Sequence, residues 1–103
     1  MSEQPIKSLG LSQALHAYLV ERGTPPDEIL CELADVTRER IGRLAIMQIP
    51  PEEGALLTFL ARLIGARRAI ELGTFTGYSA ICIARGLAEG GELLCCDVNR
   101  EWT

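Results

Sequence analysis

The stretch Ile70-Glu71-Leu72-Gly73-Thr74-Phe75-Thr76-Gly77-Tyr78-Ser79, followed by Asp97, holds the residue types from which a ligand site is made. Gly73 lets a ligand approach the backbone with no Cβ in the way, and Gly77 lets the chain turn into a helix. Asp97 follows Gly77 by 20 residues. An acid at the end of the second strand of a parallel pair is placed to accept hydrogen bonds from two ribose hydroxyls. The glycines are not spaced Gly-x-Gly-x-x-Gly. A pyrophosphate brought against a helix N-terminus needs three close glycines. Here two glycines stand apart and a carboxylate, Glu71, precedes them.

These residues need a strand, a loop, a helix and a second strand to position them. Arg67 to Leu72 is a short run ending in Gly73 and reads as a strand. Tyr78 to about Ala88 is helical, with Ile81, Ala84 and Leu87 in phase. Gly90-Gly91 is a turn, and Glu92 to Asp97 reads as a largely apolar, buried parallel strand. Residues 67–97 thus form one βαβ unit with a right-handed crossover. Three helices precede it. The first runs from Ser8 to about Arg22, with Leu11, Leu15, Tyr18 and Leu19 on one face. The second starts at Thr24-Pro25-Pro26-Asp27-Glu28 and runs to about Arg40, with Ile29, Leu33, Val36 and Ile41 on its buried side. Residues 42–49 form a connector. Pro50-Pro51-Glu52-Glu53 opens the third helix, whose stripe of Leu56, Leu57, Leu60, Leu63 and Ile64 is expected in the core, and Gly65 ends it. The fold class expected is α/β: N-terminal helices (1–49), then the first βαβ unit of a Rossmann-like sheet (50–103).

The chain has 103 residues, 10 basic and 14 acidic, for a net charge of −4. Residues 1–65 carry six basic and nine acidic side chains, and residues 66–103 carry four and five. Neither part has the clustered Lys and Arg of a phosphate-backbone binder, so no nucleic-acid partner is expected. No apolar run reaches the length of a membrane span, and MSEQPIKSLG lacks the apolar region of a signal peptide, so a cytoplasmic location and no membrane partner are expected. Cys31, Cys82, Cys95 and Cys96 include no Cys-x-x-Cys pair, and His16 is the only histidine. This set makes no zinc site. It reads as reduced, mostly buried thiols.

A carboxylate paired with a turn less open than a dinucleotide loop suits a nucleoside ligand with a cationic part and no phosphate, and S-adenosylmethionine is such a ligand. From Met47 onward the chain resembles the start of the caffeoyl-CoA and catechol type of S-adenosylmethionine-dependent O-methyltransferase. The matching words are Pro51-Glu52-Glu53-Gly54, Leu63-Ile64-Gly65-Ala66, Ile70 to Ser79, and Asp97-Val98-Asn99-Arg100-Glu101. The helical leader fits from Lys7-Ser8-Leu9. The resemblance implies a class I methyltransferase sheet of which this chain carries the first part, with roughly 100 further residues needed to close it. It implies that Glu71, Gly73, Thr74 and Ser79 line the methionine end of the cofactor and that Asp97 binds its ribose. Ile49 would contribute a backbone contact to the amino-acid group. Lys7 would contact the substrate. It also implies a small phenolic or catechol-like hydroxyl acceptor, a homodimer, and a divalent cation, usually Mg²⁺. By the resemblance, the ligands of that cation would lie after Thr103.

Each residue also has a plainer reading. Glu71 alone would be a strand-end residue that caps the next helix. Ser79 would be an ordinary first-turn residue, and Asp97 a turn former before Asn99. Lys7 would be a solvated terminal lysine, Ile49 an anchor for the connector, and His16 a surface or interface side chain. Two other functions remain open from sequence: a non-catalytic fragment that folds or acts only with a partner, and a nucleotide-dependent oxidoreductase with an unusual loop. The glycine spacing and Glu71 argue against the second. The isolated chain is expected to be poorly stable, or to associate, because two strands leave apolar edges open.

Overall fold

Polar caps and prolines mark where the helices begin. In the computed structural model, which describes residues 10–103, Ser12 caps α1 (Gln13–Arg22) by accepting from the Leu15 N–H at 3.1 Å. Asp27 caps α2 (Glu28–Ile41) by accepting from the Leu30 N–H at 3.0 Å. Such caps satisfy backbone donors that have no partner inside the helix. A 3₁₀ segment, Gly42–Met47, follows where the sequence suggested only a connector. Pro51 opens α3 (Pro51–Leu63), with Glu52 and Glu53 in its first turn. Strand β1 (Arg68–Leu72), helix α4 (Tyr78–Gly86) and strand β2 (Glu92–Cys96) complete the chain. The strands pair in parallel from Arg68 opposite Glu92 to Leu72 opposite Cys96. The chain is therefore α/β, with helices leading into a βαβ unit.

The core differs from the one the apolar periodicity suggests. Leu30, Tyr78 and Cys82 form its buried cluster, with Leu33, Ala34, Ile49 and Ile81 packed against it. On α2 the buried positions are Leu30 and Thr37, while Ile29 is exposed. On α3 they are Gly54 and Ala61, and Leu56, Leu60, Leu63 and Ile64 are exposed. The leucine stripe is thus not the core face. Leu11, Leu15, Tyr18 and Leu19 of the leader are exposed as well. Of the four cysteines only Cys82 is buried; Cys31, Cys95 and Cys96 are exposed free thiols. In the sheet, Ala69, Glu71 and Leu93 are half-buried, and the alternate residues Ile70, Leu72 and Leu94 point the other way and are exposed.

Small residues explain why α3 and α4 pack where they do. A Cβ on Gly54 would lie 2.8 Å from the Cys82 sulfur, and one on Gly86 would lie 2.5 Å from the Thr58 carbonyl oxygen and 2.7 Å from the Ala61 Cβ. Gly54 lies near Tyr78 and Cys82, and Ala61 near Gly86, so the helices run in the same direction. The Thr58 hydroxyl crosses the gap to donate to the Cys82 carbonyl at 2.7 Å. The Gly86→Ala variant gains helix propensity but must push a backbone carbonyl aside. It should lose about 1–3 kcal/mol of stability, as overpacking does. Urea unfolding measures this, and an unchanged midpoint would mean that the helices are not in such close contact.

Candidate ligand site at the strand ends

The carboxyl ends of β1 and β2 lie side by side, because the Gly73 N–H extends the ladder to the Cys96 carbonyl at 2.7 Å. Glu71, Gly73 and Asp97 therefore meet at one edge, beyond which ligands bind in open parallel sheets. The loop from β1 to α4 turns sharply. Gly73, Phe75 and Gly77 all have positive φ, at 89°, 54° and 100°. The Gly77 N–H closes the turn on the Thr74 carbonyl at 3.0 Å. Around Gly73 nothing lies within 4 Å of where a Cβ would stand, so its backbone is open to approach.

Asp97 ties the two strand ends together. Its Oδ2 accepts from the Phe75 N–H at 2.8 Å and its Oδ1 from the Asn99 N–H at 2.9 Å. The Asn99 and Phe75 amides hold its carboxyl below the usual carboxylate range, against a smaller opposing effect of burial. Phe75 stands edge-on to Trp102, with ring centroids 5.1 Å apart. The plain reading of Asp97 as a turn former is thus part of its role here.

Glu71 accepts a hydrogen bond on Oε2 from the Ser79 hydroxyl, across the loop, in the first turn of α4. Its other oxygen, Oε1, is buried without a partner, and so is the Thr74 hydroxyl oxygen. Unpaired buried polar atoms are costly and uncommon, and these two lie beside the open backbone of Gly73. A donor-bearing, cationic ligand group is the chemistry that Glu71 Oε1 fits. No side chain caps α4, so its first-turn N–H groups also lack a side-chain acceptor.

The structure brings Glu71, Gly73, Thr74, Ser79 and Asp97 to one edge. Ile49 is half-buried against the Leu30–Tyr78–Cys82 cluster, where it anchors the chain into α3. Lys7 lies outside the described residues. His16 contacts Glu52, Nε2 to Oε1 at 3.0 Å, and so links α1 to α3. Tyr78 is a core residue, and burial raises both its hydroxyl pKa and that of the Cys82 thiol. Cys82 therefore packs as a small hydrophobe. A cavity of about 390 Å³ opens between the start of α2, α3 and α4, lined by Pro26, Tyr78, Cys82 and Arg85 among others, and none of the strand-end residues lines it. Among the described residues no group of three or more His, Cys, Asp or Glu is arranged to hold a metal. Likewise, no described helix is long and apolar enough to cross a membrane.

Two residues at this edge escaped the reading of the sequence. Thr37 and Gln48 both contact Thr76 in the loop. The signal for Thr37 was its place one stripe over from the chosen face of α2: Leu30, Leu33, Ala34 and Thr37 follow the helical repeat.

The chain matches the O-methyltransferase family model over residues 21–103, and it belongs to that family. It is 38% identical over 98 residues to caffeoyl-CoA O-methyltransferase from Populus kitakamiensis, covering 93% of this chain and 42% of that protein. It is 37% identical over 98 residues to tapetum-specific methyltransferase 1 from Arabidopsis thaliana, again 93% of this chain and 42% of the other. Among solved structures it resembles the O-methyltransferase from Bacillus cereus in complex with SAH (TM-score 0.75, 32% identity, 85% of this chain and 39% of that one). It also resembles the O-methyltransferase of tomaymycin synthesis from Streptomyces achromogenes in complex with SAM (TM-score 0.75, 35% identity, 86% and 39%). The chain thus spans about 40% of the length of the proteins it matches.

Asp97 gives the site a testable acid dependence. Its folded pKa lies below the unfolded value of about 3.9. Its contribution to stability is therefore full at neutral pH and is lost as pH falls through the folded value. Denaturant midpoints of the wild type and of Asp97→Asn should differ at pH 7 and converge as pH drops below about 4. A gap that stays constant into acid would remove the carboxylate from its role as acceptor for Phe75 and Asn99.

Proposed function

We propose that this chain forms the cofactor-binding part of an S-adenosylmethionine-dependent O-methyltransferase acting on a small phenolic or catechol-like hydroxyl. The observation that carries the reading is the buried, unpartnered Oε1 of Glu71, two residues before the open backbone of Gly73, on a strand whose partner reaches Asp97 two positions beyond Glu71's own pair, Cys95. Glu71 holds the positive amino group of the cofactor, with Ser79 fixing its carboxylate from the far side. Thr74 offers its free hydroxyl to the same end, and Gly73 gives the clearance. Asp97 receives the ribose. The backbone at Ile49 and the side chain of Lys7 complete the proposal as contacts to the amino-acid group and to the acceptor. When bound, the sulfonium cofactor would supply a methyl group: an ionised acceptor oxygen attacks its carbon in line, the O–C bond forming as the C–S bond breaks and the neutral thioether, SAH, leaves.

A phenol with a pKa near 10 needs help to ionise at neutral pH. A divalent cation such as Mg²⁺ gives that help by polarising the oxygen, and this remains part of the proposal together with a homodimer. The described residues hold no group of three or more His, Cys, Asp or Glu arranged for a metal. The 103 residues alone are accordingly expected to bind cofactor without turning it over. A radiolabelled-methyl assay with a catechol or caffeoyl ester and Mg²⁺ should show no transfer, and turnover would mean that the chain already holds the complete reaction machinery.

Binding is the direct test. Calorimetric titration should show S-adenosylmethionine or SAH binding in preference to NAD. The Glu71→Gln variant should lose about tenfold or more in affinity, the size expected for a hydrogen bond to a charged group. Preferential binding of NAD would instead favour a nucleotide-dependent oxidoreductase and overturn the proposal.

A further inference from the structure

We infer that Thr37, on a helix outside the βαβ unit, is a positioning residue for the ligand loop. It is 2% exposed, the one buried polar residue among the described residues. A threonine inside a helix ordinarily returns its hydroxyl to the carbonyl four residues earlier. Thr37 instead donates to the Thr76 hydroxyl, 39 positions along the chain, at 2.8 Å. The Thr76 hydroxyl in turn donates to Gln48 Oε1 at 3.4 Å, reaching the segment between the 3₁₀ turn and α3. The donors run one way: α2 to loop, loop to the segment before α3. A hydroxyl has a single proton, so with that proton given to Gln48, Thr76 meets Thr37 as an acceptor.

Thr76 lies between Phe75 and Gly77, both at positive φ. Two neighbours of Thr76 in this turn are held by backbone donors: Phe75 N–H on Asp97 and Gly77 N–H on Thr74. Thr37 therefore pins the middle of the turn from the side of the helical leader, while Asp97 pins it from the sheet. Thr37 touches no ligand-facing group itself. Its effect on the ligand passes through the shape of the loop.

The test uses the whole chain with two readouts. Hydrogen exchange of the Phe75 and Gly77 amides reports loop opening without any ligand. Thr37→Val, which keeps the shape and removes the hydroxyl, should speed exchange at both amides by about three- to tenfold, as expected for one lost hydrogen bond. The amides inside α2 should keep their protection, and Thr37→Ser should restore the loop. Thr76→Val cuts the same bond from the loop side, and the Gln48 bond with it, and should speed exchange at both amides at least as much, which keeps the inference testable if Thr37→Val folds poorly. Adding Thr37→Val to Thr76→Val should change little further. Unchanged exchange at Phe75 and Gly77 in both single variants, or no rescue by serine, would overturn the assignment.

The second readout, SAH affinity by calorimetry, rests on the proposed function and should fall about three- to tenfold in Thr37→Val. If the wild type binds no SAH, that function fails, while the exchange data still decide the role of Thr37.

Discussion

The position of α4 depends on its contact with α3, and that contact is close because two of its positions, Gly54 and Gly86, carry no side chain. Gly54 and Gly86 leave no room for a Cβ, and the Thr58 hydroxyl reaches the Cys82 carbonyl directly. The buried apolar residues of the described chain are few: Leu30, Ala61, Tyr78 and Cys82. A core of this size does not fix a helix by bulk alone. Steric closeness at two glycines and one hydrogen bond set its height and rotation, since close-packed atoms transmit small displacements. With α4 so placed, its first turn brings Ser79 over the end of β1, where Glu71 waits. A larger residue at either glycine would move Ser79 away from Glu71 as well as opening the helix pair.

The loop before α4 carries the strain of this arrangement. Phe75 adopts a positive φ that a residue with a Cβ rarely takes. Such a conformation costs on the order of 1–3 kcal/mol and persists where the surroundings hold it. Here they do so from several sides: Asp97 accepts from the Phe75 amide, Trp102 packs edge-on to its ring, and the neighbouring Thr76 is bonded to Thr37. The strained turn sits at the edge where the open Gly73 backbone and the unpaired Glu71 oxygen also lie, so local cost and ligand chemistry coincide.

Much of the βαβ unit was legible in the sequence because its signals are local. Short apolar runs ended by Gly73 and by Asp97, with a helical repeat between them, locate both strands and α4 to within two residues. Proline and acid starts locate α2 and α3 equally well. The faces of the helices were not legible in the same way. Periodicity weighs large apolar side chains, so Leu56, Leu60 and Leu63 looked like the core, whereas the contact runs along Gly54, Thr58 and Ala61. A small residue is a signal only when its neighbour is known. The site divides along the same line. Glu71, Gly73 and Asp97 follow from being at strand ends, while Thr37 and Gln48 matter through bonds to a residue far along the chain, which no local pattern records.

Asp97 has two tasks that look incompatible, since it braces the loop and is also proposed to receive a ribose. Counting lone pairs resolves the conflict. An ionised carboxylate offers about four acceptor sites, two on each oxygen. The Phe75 amide takes one on Oδ2 and the Asn99 amide one on Oδ1. Acceptor capacity is left on the carboxylate, and a vicinal diol presents two donors. Glu71 divides its capacity similarly, with Oε2 engaged by Ser79 and Oε1 unused. In both residues part of the carboxylate is spent on holding the site's shape, and that bond orients the part left over. A ligand that uses the remainder binds only the folded loop, so it also stabilises the fold, by about 2.7 kcal/mol at a hundred times its dissociation constant.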